Sequence, residues 1–448
     1  MKIEKRWIAS FVIITIISIA ALFWKTEIPL ENTGEFLSED KIVGADVAWI
    51  LAAAGLVLLM TPGLSFFYGG MVGSKNVIST MLQSFIALGV ISILWVVVGF
   101  SLSFGESLGF TLNRVHYGII GNPLSYPFLS GVGTLPHHLM APTIPFILFA
   151  LFQMKFAVIT PALITGSFAE RVRFISYLLF MVLFSLFIYT PLCHMVWHPE
   201  GLLNKLFGVK DFAGGTVVHM SAGFAALAGA MVLGRRKNPH HKPSNIPFVL
   251  LGTGMLWFGW FGFNAGSALA ANATAAMAFG TTTIASASAM ITWIFFDRIN
   301  GRKVSALGAS IGAVVGLVAI TPAAGFVTIA ESLFIGFISA IVSNMMMNWK
   351  KLKKIDDTLD VFACHGVGGI MGMVLTAIFA HGENASLLHG GWSVFAHHMM
   401  ALVLVSVFTF FGALLLYKIT DYIIPLRVSE ESENIGLDLS QHDESISF

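Results

Sequence analysis

Apolar residues along this chain fall in repeated runs of near twenty, broken by short polar stretches. A hydrocarbon core about 30 Å thick is crossed by about 20 helical residues at 1.5 Å each, so each run predicts a membrane-spanning helix. The first run, Trp7 to Trp24, follows Lys2, Lys5 and Arg6. Residues 1–24 therefore read as a signal peptide, with Ser18-Ile19-Ala20 as a small-x-small cleavage signal; an uncleaved anchor is the alternative. The polar residues 25–42 read as an external leader. Eleven further runs then predict spans at 46–69, 78–102, 142–165, 174–197, 213–233, 246–268, 273–296, 304–320, 327–347, 358–380 and 393–418. Together they make a membrane domain over 43–418, followed by a polar, acidic cytoplasmic tail, 419–448, with no strong helical period. That tail is expected to be mobile or to fold on a partner, as a regulatory element. Pro62-Gly63 in the first span and Pro161 in the third predict kinks. The stretch 104–140 predicts packed irregular structure.

Charge in the loops orients this array. Loops after odd-numbered spans carry Lys75; Arg171 and Arg173; Arg235, Arg236, Lys237 and Lys242; Arg298, Arg302 and Lys303; and Lys350, Lys351, Lys353 and Lys354. Loops after even-numbered spans carry only Arg114, Lys205 and Lys210. Positive charge stays inside, so the mature amino end is expected outside and the carboxyl end in the cytoplasm, in a cytoplasmic (inner) cell membrane. Spans one to five and six to ten then have opposite orientation. This is the parity of a 5+5 inverted repeat with one helix added, and transporter sites often lie where such repeats meet.

Two polar groups stand out inside these runs. Asp211 heads the fifth span, and His219 follows eight residues later, about 12 Å deeper. Asp is a favoured cap at the positive end of a helix. In the tenth span His365 follows Asp360. An ionisable residue at membrane depth is a functional hypothesis by default, and these two histidines occupy matching places in the two halves. Burial disfavours imidazolium, so both are expected neutral.

Composition agrees with a polytopic membrane protein. Charged residues make up 11% and mean hydropathy is +0.82, where soluble domains carry about 25% charged residues. A net charge of +1 does not suggest nucleic acid. Cys193 and Cys364 give neither a disulfide framework nor zinc spacing. There is no HExxH, P-loop or GxSxG, so an intramembrane hydrolase lacks its metal triad or activated serine, and no enzyme activity, metal or cofactor is expected.

Aromatic residues add a candidate outer site. Phe152 and Phe156 are four apart in the third span, as are Phe263 and Ser267 in the sixth; Trp197 ends the fourth. Aromatic faces attract cations by about 0.5–2 kcal/mol, and a serine hydroxyl accepts from an N–H donor.

These stretches carry a resemblance to the ammonium transporter (Amt/Rh) family, of the bacterial Amt type. The matching segments are FFYGGMV at Phe66–Val72, FQMKFAVITPALITGSFAERVRF at Phe152–Phe174 and HMVW at His194–Trp197. Further matches are DFAGGTVVH at Asp211–His219, GWFGFNAGS at Gly259–Ser267, DDTLDVFACHGVGGI at Asp356–Ile370 and RVSEESENIGLD at Arg427–Asp438. The resemblance implies a homotrimer with one pore per subunit. It implies ammonium recruitment by Trp197, Phe156 and Ser267, and a gate of Phe156, Phe263 and Phe152. His219 and His365 would line the pore, with Asp211 supporting from behind. It also implies a trimeric PII-type signal protein docking on the cytoplasmic tail. An Rh-like gas or methylammonium channel, or an ammonium sensor that transports little, is the alternative; Trp197 and the short tail favour transport.

Three positions depart from the family pattern. Lys155 stands between the aromatics of the third span, the first inner loop reads GSKN without the arginine common before the lysine, and Asp443 replaces a usual glycine. A protonated amine in the pore would repel ammonium by about 4 kcal/mol at 4 Å and an effective dielectric near 20. Lys155 is therefore expected to point away from the substrate path.

Overall fold

The computed structural model describes residues 5–24, 34–239, 242–349, 354–383 and 385–446. Among them, eleven helices are long and apolar enough to cross a membrane, the N-terminal helix included, and Ala306–Ile320 is a shorter apolar helix. The eleven predicted spans all appear as helices, giving an all-α polytopic membrane protein. Their ends follow local chemistry. The third begins at Phe146, not 142, because Pro145 precedes it and the residue before a proline avoids helical geometry. The eighth ends at Ile320, two residues before Pro322. The ninth starts on a capping box between Thr328 and Glu331. The eleventh, Trp392–Ile423, runs five residues past the predicted end and into the segment assigned to the tail. Pro62 and Pro161 both lie inside continuous helices.

Among the described residues, four spans contain a π-helical turn, at Trp95–Gly99, Ser185–Tyr189, Gly215–Met220 and Phe362–Val367. Such turns insert one residue into the ladder and often mark functional positions. The last two carry His219 and His365.

The contacts between loops sort them onto two faces. On one, the tail touches the loops after spans one, three and five through Lys75, Arg173 and Lys237. On the other, the segment after span two meets the loop after span four through the Gly118 N–H to Glu200 carbonyl bond, and Lys210 meets His398. This matches the predicted parity. The N-terminal helix Lys5–Phe23 reaches between the two. Trp7 borders a cavity with Gln441 and His442, and Trp24 lies against Phe128 at 5.4 Å.

Two expectations are corrected. The 104–140 stretch is not all irregular: β1 (Ser107–Leu112) and β2 (Val115–Gly121) form an antiparallel hairpin. Its turn residues Asn113 and Arg114 have φ of 51° and 66°, the geometry of a tight hairpin turn, without the Asn-Gly that announces one. The tail is also folded. Short helices Glu430–Ile435 and Leu437–His442 dock on the chain's own loops. Asn76 accepts from the Leu437 N–H, and the Asp438 carboxylate accepts from the N–H groups of Ile78 and Ser79, capping the second span.

Candidate functional site

His219 and His365 meet at the centre of the fold, 1% and 3% exposed, with their Nδ1 atoms 3.3 Å apart. What lets them meet is the absence of a side chain at Gly223, one turn beyond His219. A Cβ there would stand 2.2 Å from the backbone nitrogen of Gly366, the neighbour of His365. The two half-helices thus cross backbone to backbone beside the imidazoles.

Each histidine helix is capped by an aspartate. Asp211 accepts from the N–H groups of Gly214, Gly215 and Thr216 at 2.8, 2.6 and 2.8 Å, and from the Thr216 hydroxyl. Its carboxylate is consumed by the start of the helix that carries His219. In the second repeat the counterpart is Asp357, not Asp360. Asp357 lies eight positions before His365, as Asp211 does before His219, and accepts from the Phe362 N–H at 2.8 Å. Burial pushes its carboxyl above the usual range. Asp360 has φ of 55°, and its carbonyl accepts from the Cys364 N–H instead.

Above the histidines lies a stack of rings. His219 faces Trp260 at 5.4 Å and Phe263 at 6.0 Å; Phe263 covers Phe156 at 4.3 Å; Phe156 meets the Trp197 edge at 5.8 Å. A cavity of about 200 Å³ opens over this stack, lined by Phe156, Trp197, Ser267, Gln153, Leu139 and Met140 among others. The Trp197 indole N–H is tied to the Asp211 carbonyl at 3.1 Å. The Ser267 hydroxyl donates to the Phe263 carbonyl at 2.8 Å, which leaves its oxygen free to accept. Phe152 is fully buried and does not border this cavity. It packs edge-on against Phe156 at 5.1 Å and fills the space left by Gly266.

Proteins of known identity carry the same architecture. The sequence model of the Ammonium Transporter Family matches residues 48–446. The chain is 42% identical over 414 residues to the ammonium transporter of Aquifex aeolicus, covering 91% of this chain and 95% of that one. It is 44% identical over 406 residues to that of Bacillus subtilis, covering 89% and 97%. The chain belongs to the ammonium transporter family. Among solved structures, Saccharomyces cerevisiae Mep2 superposes with a TM-score of 0.80 at 32% identity, covering 87% of this chain and 89% of that one. A protein described as Sensor Amt Protein superposes at 0.81 and 30%, covering 90% and 100%.

As a member of that family the chain is an ammonium transporter, and its departures can be located. Lys155 is half-buried and does not border the outer cavity. Lys75 donates to the Asn434 carbonyl of the tail. Asp443 sits in left-handed backbone, φ 57°. Behind the tail lies a charged network: Arg236 joins Glu170 and Asp356 at 2.8 Å each, and Arg427 joins Glu433 at 2.8 Å. Burial alone would raise the Asp356 carboxyl, but Arg236 more than offsets it and holds it below the usual range. Burial lowers Arg171, alongside, to about 10.

Sequence reasoning missed Gln153, Trp260 and Asp357. Only Asp357 left a usable signal, the repeated eight-residue spacing.

Proposed function

We propose that the chain carries ammonium nitrogen by recruiting the cation above Phe156, removing its proton, and passing neutral ammonia along His219 and His365. The observation that carries this reading is the buried histidine pair lying directly beneath the stacked Phe156 and Phe263. An ion of this size loses on the order of tens of kcal/mol of hydration in an apolar medium. Ring faces worth about 0.5–2 kcal/mol and one serine oxygen do not offset that. The cation therefore stops at the aromatic stack, and the neutral molecule goes on. The two Nδ1 atoms at 3.3 Å can hold one proton between them, so one ring donates while the other accepts. A pair joined in this way can relay the proton left behind, separately from ammonia. Phe156 and Phe263 are the gate, with Phe152 as the buttress that fixes Phe156.

The reading includes a homotrimer in the cytoplasmic membrane, with the hairpin face outside and the tail in the cytoplasm. It also includes a PII-type signal protein docking at that tail. The excess of Lys and Arg on the tail face supports the orientation. The test is current on a solid-supported membrane during an ammonium jump. His219→Ala and His365→Ala should each reduce transport sharply while the protein stays folded. Wild-type rates in either variant would remove the pair from the pathway. Retained flux with altered ion selectivity would make the pair a selectivity filter instead, and ammonium binding without flux in the native protein would favour a sensor.

A further inference from the structure

The outer cavity has a lip, and the lip is organised by a histidine that the reading above does not use. Leu139 and Met140 form a wall common to the 200 Å³ cavity over Phe156 and a second cavity of about 510 Å³ beside it. Both residues donate their backbone N–H groups to one atom, Nδ1 of His137, at 3.3 and 3.2 Å. An Nδ1 that accepts twice carries no proton, so the proton of the neutral ring is on Nε2. Nε2 faces Glu35 at 3.4 Å. His137 is 3% exposed. Its ring stacks on Phe146, the first residue of the third span, at 4.8 Å and on His138 at 5.1 Å, and Phe36 meets it edge-on at 5.6 Å. Backbone bonds from Leu37 to Pro136 and from His138 to Glu35 tie the leader to this loop.

The same geometry is made by asparagine in an Asx turn, where Oδ1 accepts from backbone N–H groups two or three residues on. Nδ1 of histidine occupies the place of that Oδ1, one bond beyond Cγ. The difference is that histidine titrates. Once Nδ1 gains a proton it faces two N–H donors and can accept from neither.

We propose that His137 is a positioning residue for recruitment, holding Leu139 and Met140 as the lip of the outer cavity, and that protonation of its ring releases the lip. The proposal rests on the recruitment reading given above. The charged and titratable groups around the ring are Glu35, His138, His198, Tyr126, Glu106 and Glu200, all six bordering the same cavity. Burial, aided by His138, lowers the pKa of His137 from its ordinary 6.5, and Glu35 opposes this. A base lowered on folding stabilises the turn fully above its unfolded value. That contribution is lost as pH falls below about 6.5 toward the folded value.

The test is uptake of radiolabelled methylammonium by cells expressing the full chain, with ammonium as competitor, between about pH 5.5 and about pH 8. His137→Ala should raise KM about five- to ten-fold with Vmax unchanged, because two backbone donors lose their acceptor. His137→Asn should restore KM to within about two-fold at the upper pH and abolish the rise in KM expected of the native protein on the acid side, and a native KM that does not rise there overturns the release of the lip. A native-like KM in His137→Ala, or an acid-side rise that persists in His137→Asn, overturns the proposal. Should His137→Ala fail to fold, the asparagine variant alone decides it by its pH profile. Ser267→Ala separates the two levels of argument. A weakened affinity there with none in His137→Ala rejects only the lip; no change in either rejects the recruitment site itself.

Discussion

Replacing Gly223 by alanine tests how the two histidines are held. The added Cβ would lie 2.2 Å from the Gly366 nitrogen, where ordinary contact begins at 3.4 Å, so the half-helices must separate by about 1.2 Å. Both partners are backbone, and no rotamer change relieves the clash. The Nδ1 atoms start 3.3 Å apart, already a long hydrogen bond. A further ångström takes them beyond bonding distance. The lost bond leaves buried ring nitrogens unsatisfied, at about 1–3 kcal/mol, or roughly ten- to hundred-fold in a rate that depends on it. Overpacking adds about 1–3 kcal/mol of destabilisation, so thermal unfolding of the purified protein is measured in parallel. The control is Gly55→Ala in the first span, where the new Cβ meets nothing within 4 Å. Ammonium-jump current is the readout. Gly223→Ala should lose most of the current while still folding, and Gly55→Ala should be neutral. A Gly223→Ala protein that conducts normally would refute the claim that the close crossing sets the histidine pair.

Three further outcomes are expected. Lys155→Ser should keep ammonium uptake within a few-fold, since the amine does not border the outer cavity; a ten-fold change in ammonium affinity at unchanged oligomer stability would place it on the substrate path. Removal of residues 427–448 should abolish capture of a PII-type protein in a pull-down, and equal capture would move docking to the inner loops. Intact mass of membrane-purified protein should correspond to cleavage after Ala20, whereas a mass including Met1 means that Lys5–Phe23 is retained as a twelfth span.

The spans, their parity and the histidine pair were legible because each rests on a strong signal. About twenty apolar residues in hydrocarbon have few options, and a basic loop has one preferred side. Membrane-depth histidines are rare enough to be noticed singly. The hairpin was not legible, because Asn113-Arg114 adopts a turn that sequence reserves for glycine-bearing pairs. The tail helices were hidden for a different reason. Six residues each are too few to show a period or to be stable alone, and they hold through Asn76, Lys237 and Asp438, contacts visible only in three dimensions.

The aspartates show most clearly where reading by adjacency fails. Asp360 is nearer His365 in sequence, and a search for the closest acid selects it. What the fold conserves between its halves is geometry: an acid that caps the N-terminus of a π-helical turn, with the histidine inside that turn. Asp211 to Gly215–Met220 and Asp357 to Phe362–Val367 both satisfy it. One inserted residue shifts the face of a helix by about 100°. In each half the carboxylate accepts from the first N–H of the turn, Gly215 and Phe362. Comparing the two repeats identifies the matching acid, since the same offset recurs in spans of opposite orientation, and only the pair Asp211 and Asp357 gives equal offsets.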